Sequence, residues 1–300
     1  MTLDAHGNFL GKRLAIFGSG YIGGELARQG IARGLRVTAL TRNRKTAEAL
    51  REIGAEVVVA DLVGDDWHAR IDGGAEFAVN CVSSGGAGLE GYRRSYVDGM
   101  ASILRWARSR GAVGTLLYTG STSVYPQDGG VRIDETASTH GGSDRAQILL
   151  QAEAQLRASD QACRRWFVLR LAGIYGPGRH GLLDQVRSGE ITGRGDHRLN
   201  LVHRDDICAA IWLALGAPSN VADEIFNVAD DGAARKSDMA AWLAARLALP
   251  VPRFTGEPVT GRRAAAPDRI VGNGRIKRVL GWQPHYPTFR EGYETILSRS

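Results

Sequence analysis

A strand, three glycines and a helix within one short stretch constrain this chain more than any other feature. Leu14-Ala15-Ile16-Phe17 is a buried-type apolar run, and Gly18, Gly20 and Gly23 follow at the spacing G-x-G-x-x-G. An apolar-periodic helix then begins. Gly18 permits the tight turn, Gly20 lets backbone approach a pyrophosphate, and Gly23 lets helix and strand pack closely. The helix N-terminus offers unpaired N–H groups and partial positive charge to phosphates. With 39 glycines in 300 residues the spacing alone recurs by chance, so its weight comes from the strand–turn–helix context. Gly18, Ser19, Gly20, Tyr21, Ile22 and Gly23 are therefore expected to cradle a dinucleotide.

The chain then alternates between strands and helices. Strands are expected at 35–40, 55–60, 77–82, 113–119 and 166–171, and helices at 43–53, 89–109 and 143–159. Mostly continuous apolar strands separated by helices imply a parallel sheet covered on both faces. The expected class is a Rossmann-type doubly wound α/β fold. Beyond Gly173 glycine and proline become denser, as in Gly176-Pro177-Gly178, and helices shorten. Helices are expected at 205–215, 237–247, 275–280 and 289–297, a strand at 224–228, and loop-rich chain around Pro250, Pro252, Pro258 and Pro267. This divides the chain into a dinucleotide-binding domain, 12–172, and a smaller C-terminal substrate lobe, 173–300, interleaved with the last sheet elements.

Composition narrows the class further. The 43% apolar and 23% charged fractions suit an ordinary globular protein, and no apolar run approaches the ~20 residues that span a bilayer. Residues 1–11 lack the layout of a signal peptide. Cys81, Cys163 and Cys208 are odd in number and widely spaced, which suits buried thiols in a reducing cytoplasm better than a disulfide or metal framework. The net charge of +6 is modest, and its densest cluster, Arg42, Arg44 and Lys45, lies beside the glycine motif. A bound phosphate explains that cluster better than nucleic acid. The expected partner is a small-molecule substrate, with no nucleic acid or membrane, and a homodimer is left open.

Several ordered motifs carry a family resemblance. Ser121-Thr122-Ser123-Val124-Tyr125, Leu169-Arg170-Leu171-Ala172-Gly173-Ile174-Tyr175-Gly176-Pro177-Gly178-Arg179, Val202-His203-Arg204-Asp205-Asp206-Ile207, Phe226-Asn227-Val228-Ala229-Asp230 and Leu280-Gly281-Trp282-Gln283-Pro284, with the glycine motif, resemble the extended short-chain dehydrogenase/reductase superfamily, the NAD-dependent epimerase/dehydratase-like proteins. The resemblance runs from Lys12 onward. Two departures stand out. The family's first glycine position is Phe17 here. Its catalytic Tyr and Lys, in the pattern Y-x-x-x-K, fall on the helix at 143–159, where alignment by Glu153 puts Arg145 and Leu149. No tyrosine occurs between Tyr125 and Tyr175, so no local shift restores the motif.

Cofactor choice can be read at the second strand. An NAD-preferring site ends that strand with an acid for the ribose, whereas here it runs Ala39-Leu40-Thr41-Arg42-Asn43. Arg42 can hold a 2′-phosphate with a charge-assisted fork, so NADP is expected over NAD. The resemblance adds Asp61 and Leu62 at the adenine, Asp61 being equally readable as a cap, and Val82 and Ser83 along the dinucleotide. It also makes Ser121 the hydroxyl that holds the substrate oxygen, where a turn serine is the plain alternative. Ser83, Thr122, Tyr175 and Arg179 complete the expected substrate contacts. Thr122 and Ser123 stand where sugar-nucleotide dehydratases carry acids, which argues against dehydration by that route.

With the usual tyrosine missing, another acid must serve any hydride chemistry. Tyr125, near Ser121, and His140, in the loop before the altered helix, are the titratable candidates. Arg145 can only stabilise an anion, and no cluster around His203 has metal-ligand spacing. The leading expectation is an NADP-dependent oxidoreductase or epimerase-like enzyme on a small polar metabolite. The alternatives are a redox-neutral isomerase, lyase or cyclase on the same scaffold, and a non-catalytic NADP(H) sensor.

Overall fold

Seven parallel strands carry the architecture. The structure is a computed structural model that describes residues 9–84, 88–256 and 267–298. The strands are β1 (Arg13–Phe17), β2 (Arg36–Thr41), β3 (Glu56–Val59), β4 (Phe77–Asn80), β5 (Val113–Ser121), β6 (Cys163–Leu171) and β7 (Glu224–Val228). Their order across the sheet is β7-β6-β5-β4-β1-β2-β3. The chain runs outward from β1 to β3, crosses back to β4, and continues the other way. This reversal leaves a crevice at the carboxyl ends of β1 and β4, where open α/β sheets bind ligands. The doubly wound expectation holds.

Helices cover both faces. They are α1 (Tyr21–Ala32), α2 (Arg44–Glu52), α3 (Gly88–Arg93), α4 (Gly99–Arg110), α5 (Asp144–Arg157), α6 (Gly181–Arg187), α7 (Arg204–Leu215), α8 (Lys236–Arg246), α9 (Gly274–Leu280) and α10 (Phe289–Leu297). Leu14, Ile16, Leu26, Val79 and Ile211 pack on one face of the sheet, and Ala15, Phe17, Trp67, Ile103 and Trp106 on the other. A third core, with Leu183, Met239, Leu243 and Phe289, belongs to the C-terminal part. That part also returns β7 to the main sheet, parallel to β6 from Glu224↔Phe167 to Val228↔Leu171.

Three elements differ from the sequence reading, each for a local reason. β4 stops at Asn80, before Val82, because the Asn80 side chain accepts the Val82 N–H at 3.1 Å and turns the chain. The single helix expected at 89–109 is interrupted between α3 and α4 by a π-helical turn, Arg94–Asp98, in which the Gly99 N–H reaches back to the Arg94 carbonyl. Such turns insert a residue and are common at functional sites. β6 begins at Cys163 because β5 offers it a partner from Val113 onward. The Gly85-Gly86 loop and Pro258 lie outside the described residues.

One short pairing matters for the site. Val131–Ile133 runs parallel to Arg269–Val271, so chain from near the C-terminus lies beside the turn that follows β5.

Candidate functional site

A cleft of about 830 Å³ opens at the carboxyl ends of β1, β2, β4 and β5. Its floor is the glycine loop, and the three glycines divide their work. Gly18 has φ +87°, and an added Cβ would stand 2.6 Å from the Val82 backbone. At Gly23 a Cβ would overlap the Gly18 carbonyl, while at Gly20 it would meet nothing within 4 Å. Gly20 is also the N-cap of α1, and no side chain among the described residues caps that helix. The first-turn N–H groups are thus left to whatever occupies the cleft. Ser19, Tyr21 and Ile22 line the same wall.

At the end of β2, Thr41, Arg42 and Asn43 reach the cleft. The Asn43 side chain caps α2 by accepting the Thr46 N–H at 3.0 Å. Within the basic cluster only Arg42 lines the cleft; Arg44 and Lys45 are exposed in the first turn of α2. Asp61 follows β3, lines the cleft with Leu62, and does two things. It accepts the Val63 N–H at 3.2 Å, and it forms a 2.9 Å ion pair with Arg94 of the π turn.

Past β4, Cys81, Val82 and Ser83 line the wall, and Ser121 and Ser123 stand at the end of β5. The Ser121 hydroxyl oxygen accepts the Ser123 N–H at 3.1 Å, so the turn role is real; among the described residues its own proton has no acceptor. Burial pushes the Cys81 thiol up to about 12, which keeps it from acting as a thiolate near neutrality. Arg179 lines the far wall, its guanidinium 5.5 Å from the Tyr21 ring centre.

Four expected site residues are placed elsewhere. Tyr125 is 1% exposed and does not line the cleft. Its hydroxyl donates to Asn227 Oδ1 at 2.9 Å and accepts from Arg170 Nη1 at 2.8 Å, and burial, offset in part by Arg170, raises its pKa. A phenol tied this way is a poor acid for a ligand it does not touch. His140 is exposed on its loop and also lies outside the cleft lining. Thr122 points the other way from Ser121, donating its hydroxyl to the Leu171 carbonyl at 3.3 Å. Tyr175 is buried in the third core, its ring centre 5.1 Å from that of Tyr293, with burial raising its pKa. On the short strand Gly173–Tyr175, Gly173 and Ile174 line the cleft while the Tyr175 ring turns inward into the third core.

Other lining residues escaped the sequence reading. Arg94, Ser95 and Tyr96 come from the π turn, and the Tyr96 hydroxyl accepts the Ser84 N–H at 3.3 Å. A helical periodicity cannot reveal them, because the inserted residue changes the phase. Arg269 arrives through the pairing of residues 131–133 with 269–271, a contact between distant segments that left no local signal. Arg145 does line the cleft from the first turn of α5, whereas Leu149 is buried beneath it at 1% exposure.

A parallel sheet with a glycine-loop crevice defines a dinucleotide-fold protein of the Rossmann class. Residues 16–229 match the model of the NAD dependent epimerase/dehydratase family, and the chain belongs to that family. It is 29% identical over 282 residues to protein YeeZ of Escherichia coli strain K12, across 92% of this chain and 97% of that one. It is 27% identical over 225 residues to a 3-diazoavenalumate denitrifying reductase of a Streptomyces species, across 66% of this chain and 70% of the relative. Among solved structures, UDP-glucuronic acid 4-epimerase from Bacillus cereus, in complex with UDP-glucuronic acid and NAD, superposes with a TM-score of 0.80. It is 15% identical and covers 96% of this chain and 99% of its own, a likeness of fold.

Proposed function

We propose that this chain is an NADP-dependent oxidoreductase or epimerase-type enzyme acting on a small polar metabolite. The observation that carries the reading is the uncapped start of α1 beneath Gly20, where a Cβ would project into empty space. Dinucleotide pyrophosphate fits that cradle in charge and in room. The residues from Gly18 to Gly23 hold it, Asp61 and Leu62 face the adenine end, and Val82 and Ser83 flank the remainder. Arg42 stands where an NAD-preferring site would carry an acid, and its fork suits a 2′-phosphate. The Bacillus cereus epimerase was solved with NAD, so the preference for NADP rests on Arg42 alone.

When bound, the dinucleotide supplies a hydride donor or acceptor at its nicotinamide. Ser121 donates a hydrogen bond to the substrate oxygen, and Ser83 and Arg179 complete the substrate contacts. Residues 173–300 form the substrate lobe in this reading. Arg145 presents only hydrogen-bond donors, and it can stabilise negative charge as it develops. The reductase from Streptomyces, by its name, supports reduction as the direction of chemistry.

The test is a pair of measurements. NADPH and NADH are titrated against the purified protein, and protein with 4-deuterated NADPH is then incubated with a metabolite extract and followed by mass spectrometry. A product carrying deuterium is the expected result. Conversion without deuterium transfer would exclude net reduction, leaving epimerisation by transient oxidation, which needs bound NADP⁺, or a redox-neutral route that does not; absence of dinucleotide binding would overturn the reading.

A further inference from the structure

The cleft is more basic than a dinucleotide alone explains. Arg42, Arg94, Arg145, Arg179 and Arg269 line it, against a single lining carboxylate among the described residues, Asp61. Asp61 is already paired with Arg94 at 2.9 Å. In the proposed reading Arg42 faces the 2′-phosphate and Arg179, on the far wall, contacts the substrate. Arg145 and Arg269 are left over, and both stand at the end of β5.

Their surroundings place each of them beside the turn that follows β5. Arg269 Nη2 donates to the Thr122 carbonyl at 2.9 Å and Nη1 to the Gln127 carbonyl at 3.3 Å, which fixes the guanidinium beside the turn that holds Ser121. At 6% exposure its Nε–H has no partner among the described residues. Gly142, just ahead of α5, packs against the Val124 carbonyl, where a Cβ would sit at 3.5 Å. The start of α5, and Arg145 with it, therefore abuts the same turn. Ser143 caps the fourteen-residue helix by accepting the Ala146 N–H at 3.3 Å, and the dipole adds positive potential there. Neither Arg145 nor Arg269 forms an ion pair among the described residues, and the Arg145 guanidinium lies 5.8 Å from the Tyr92 ring centre.

We infer that the end of the cleft at β5 is an oxyanion subsite formed by Arg145 and Arg269, and that the substrate is a small organic acid, a carboxylate or phosphate ester, whose anionic group sits between them. This rests on the dinucleotide reading of the same cleft. It gives Arg145 a binding role at the position where the family's tyrosine is expected, and it sets the reacting carbon of the substrate toward Ser121. Planar guanidinium groups suit carboxylate and phosphate through paired hydrogen bonds.

The experiment titrates oxalate and inorganic phosphate, at constant ionic strength, into protein saturated with NADP⁺, with glycerol as the uncharged comparison. Calorimetry should show one of the two anions binding at the millimolar level and glycerol not binding. Arg145→Ala should weaken that anion by about fivefold or more, equivalent to about 1 kcal/mol, and leave NADP⁺ affinity within about twofold. Arg269→Gln should do the same. If its lost carbonyl bonds unfold it, Arg145→Ala with an unchanged near-UV spectrum decides alone. The tighter anion identifies the substrate's group as carboxylate or phosphate. No anion binding, or equal binding in Arg145→Ala from an adventitious ion only, overturns the proposal. Should NADP⁺ itself fail to bind, the same comparison on the free protein still decides the subsite, so the two failures are distinguishable.

Discussion

Arg170 forks onto Glu153 in the interior, with Nε and Nη2 at 3.0 and 2.7 Å from the two carboxylate oxygens. Burial alone would lower the arginine's pKa, but the hydrogen bonds and charge of Glu153 raise it. The third nitrogen, Nη1, donates to Tyr125, which donates to Asn227, whose own N–H goes to Glu135 Oε1 at 2.7 Å. This run of bonds ties β6, α5, the turn after β5, β7 and the loop before α5 into one unit. It holds in place the helix that carries Arg145, and it explains why Tyr125 serves the scaffold.

Removing one partner of that pair should be severe. At 6% and 3% side-chain exposure, Glu153→Ala leaves a buried guanidinium uncompensated, and such changes cost about 3–5 kcal/mol. Urea unfolding of Glu153→Ala should show a loss of that order. A loss below about 1 kcal/mol would mean that the pair contributes little to holding α5.

The glycine loop predicts two opposite outcomes from one added methyl group. Gly20→Ala should keep its melting temperature and lose the shift induced by NADPH, because the methyl enters the space proposed for pyrophosphate. Gly23→Ala should melt lower without any ligand, because its methyl meets the Gly18 carbonyl and lies 3.1 Å from Ile16 Cγ2. Melts of both variants with and without NADPH check the pair.

Arg42 is expected to set the dinucleotide preference. A charge-assisted bond to phosphate is worth ~1.5–3 kcal/mol, so Arg42→Ala should weaken NADPH about tenfold or more and change NADH little. Equal affinities in the unaltered protein would remove the basis for preferring NADP.

Asp230 should make stability fall as pH rises. It is 5% exposed, and burial, aided by the charges of Asp231, Asp206 and Glu291 and opposed by the Gly232 N–H, pushes its carboxyl from 3.8 to about 8. Between those values the folded chain holds a proton that the unfolded chain has released. The contribution is therefore full below pH 3.8 and is lost as pH rises through about 8. Relative to Asp230→Asn, the unaltered protein should lose on the order of 1 kcal/mol per pH unit between pH 5 and 8. Parallel urea midpoints for the two proteins across that range would contradict this.

The sequence determined the dinucleotide fold because its signals are local. A strand, a turn that only glycine fits and an apolar-periodic helix are neighbours in the chain, so Gly18, Gly20 and Gly23 could be given separate duties from spacing alone. Alternating strands and helices fixed the parallel sheet for the same reason, and the end of the second strand, lacking an acid, exposed Arg42. What only the tertiary structure decided is which side chains face the cleft. Thr122 and Tyr175 lie beside cleft residues in sequence yet turn into the interior, since adjacent residues leave the backbone in opposite directions. Tyr125 is claimed by Arg170 and Asn227, partners 45 and 102 positions away. Arg94 and Tyr96 reach the cleft through a π turn that breaks helical phase, and Arg269 through pairing with a segment far earlier in the chain. Burial and hydrogen bonding between distant segments are set by packing, and packing is not written in any one stretch of sequence.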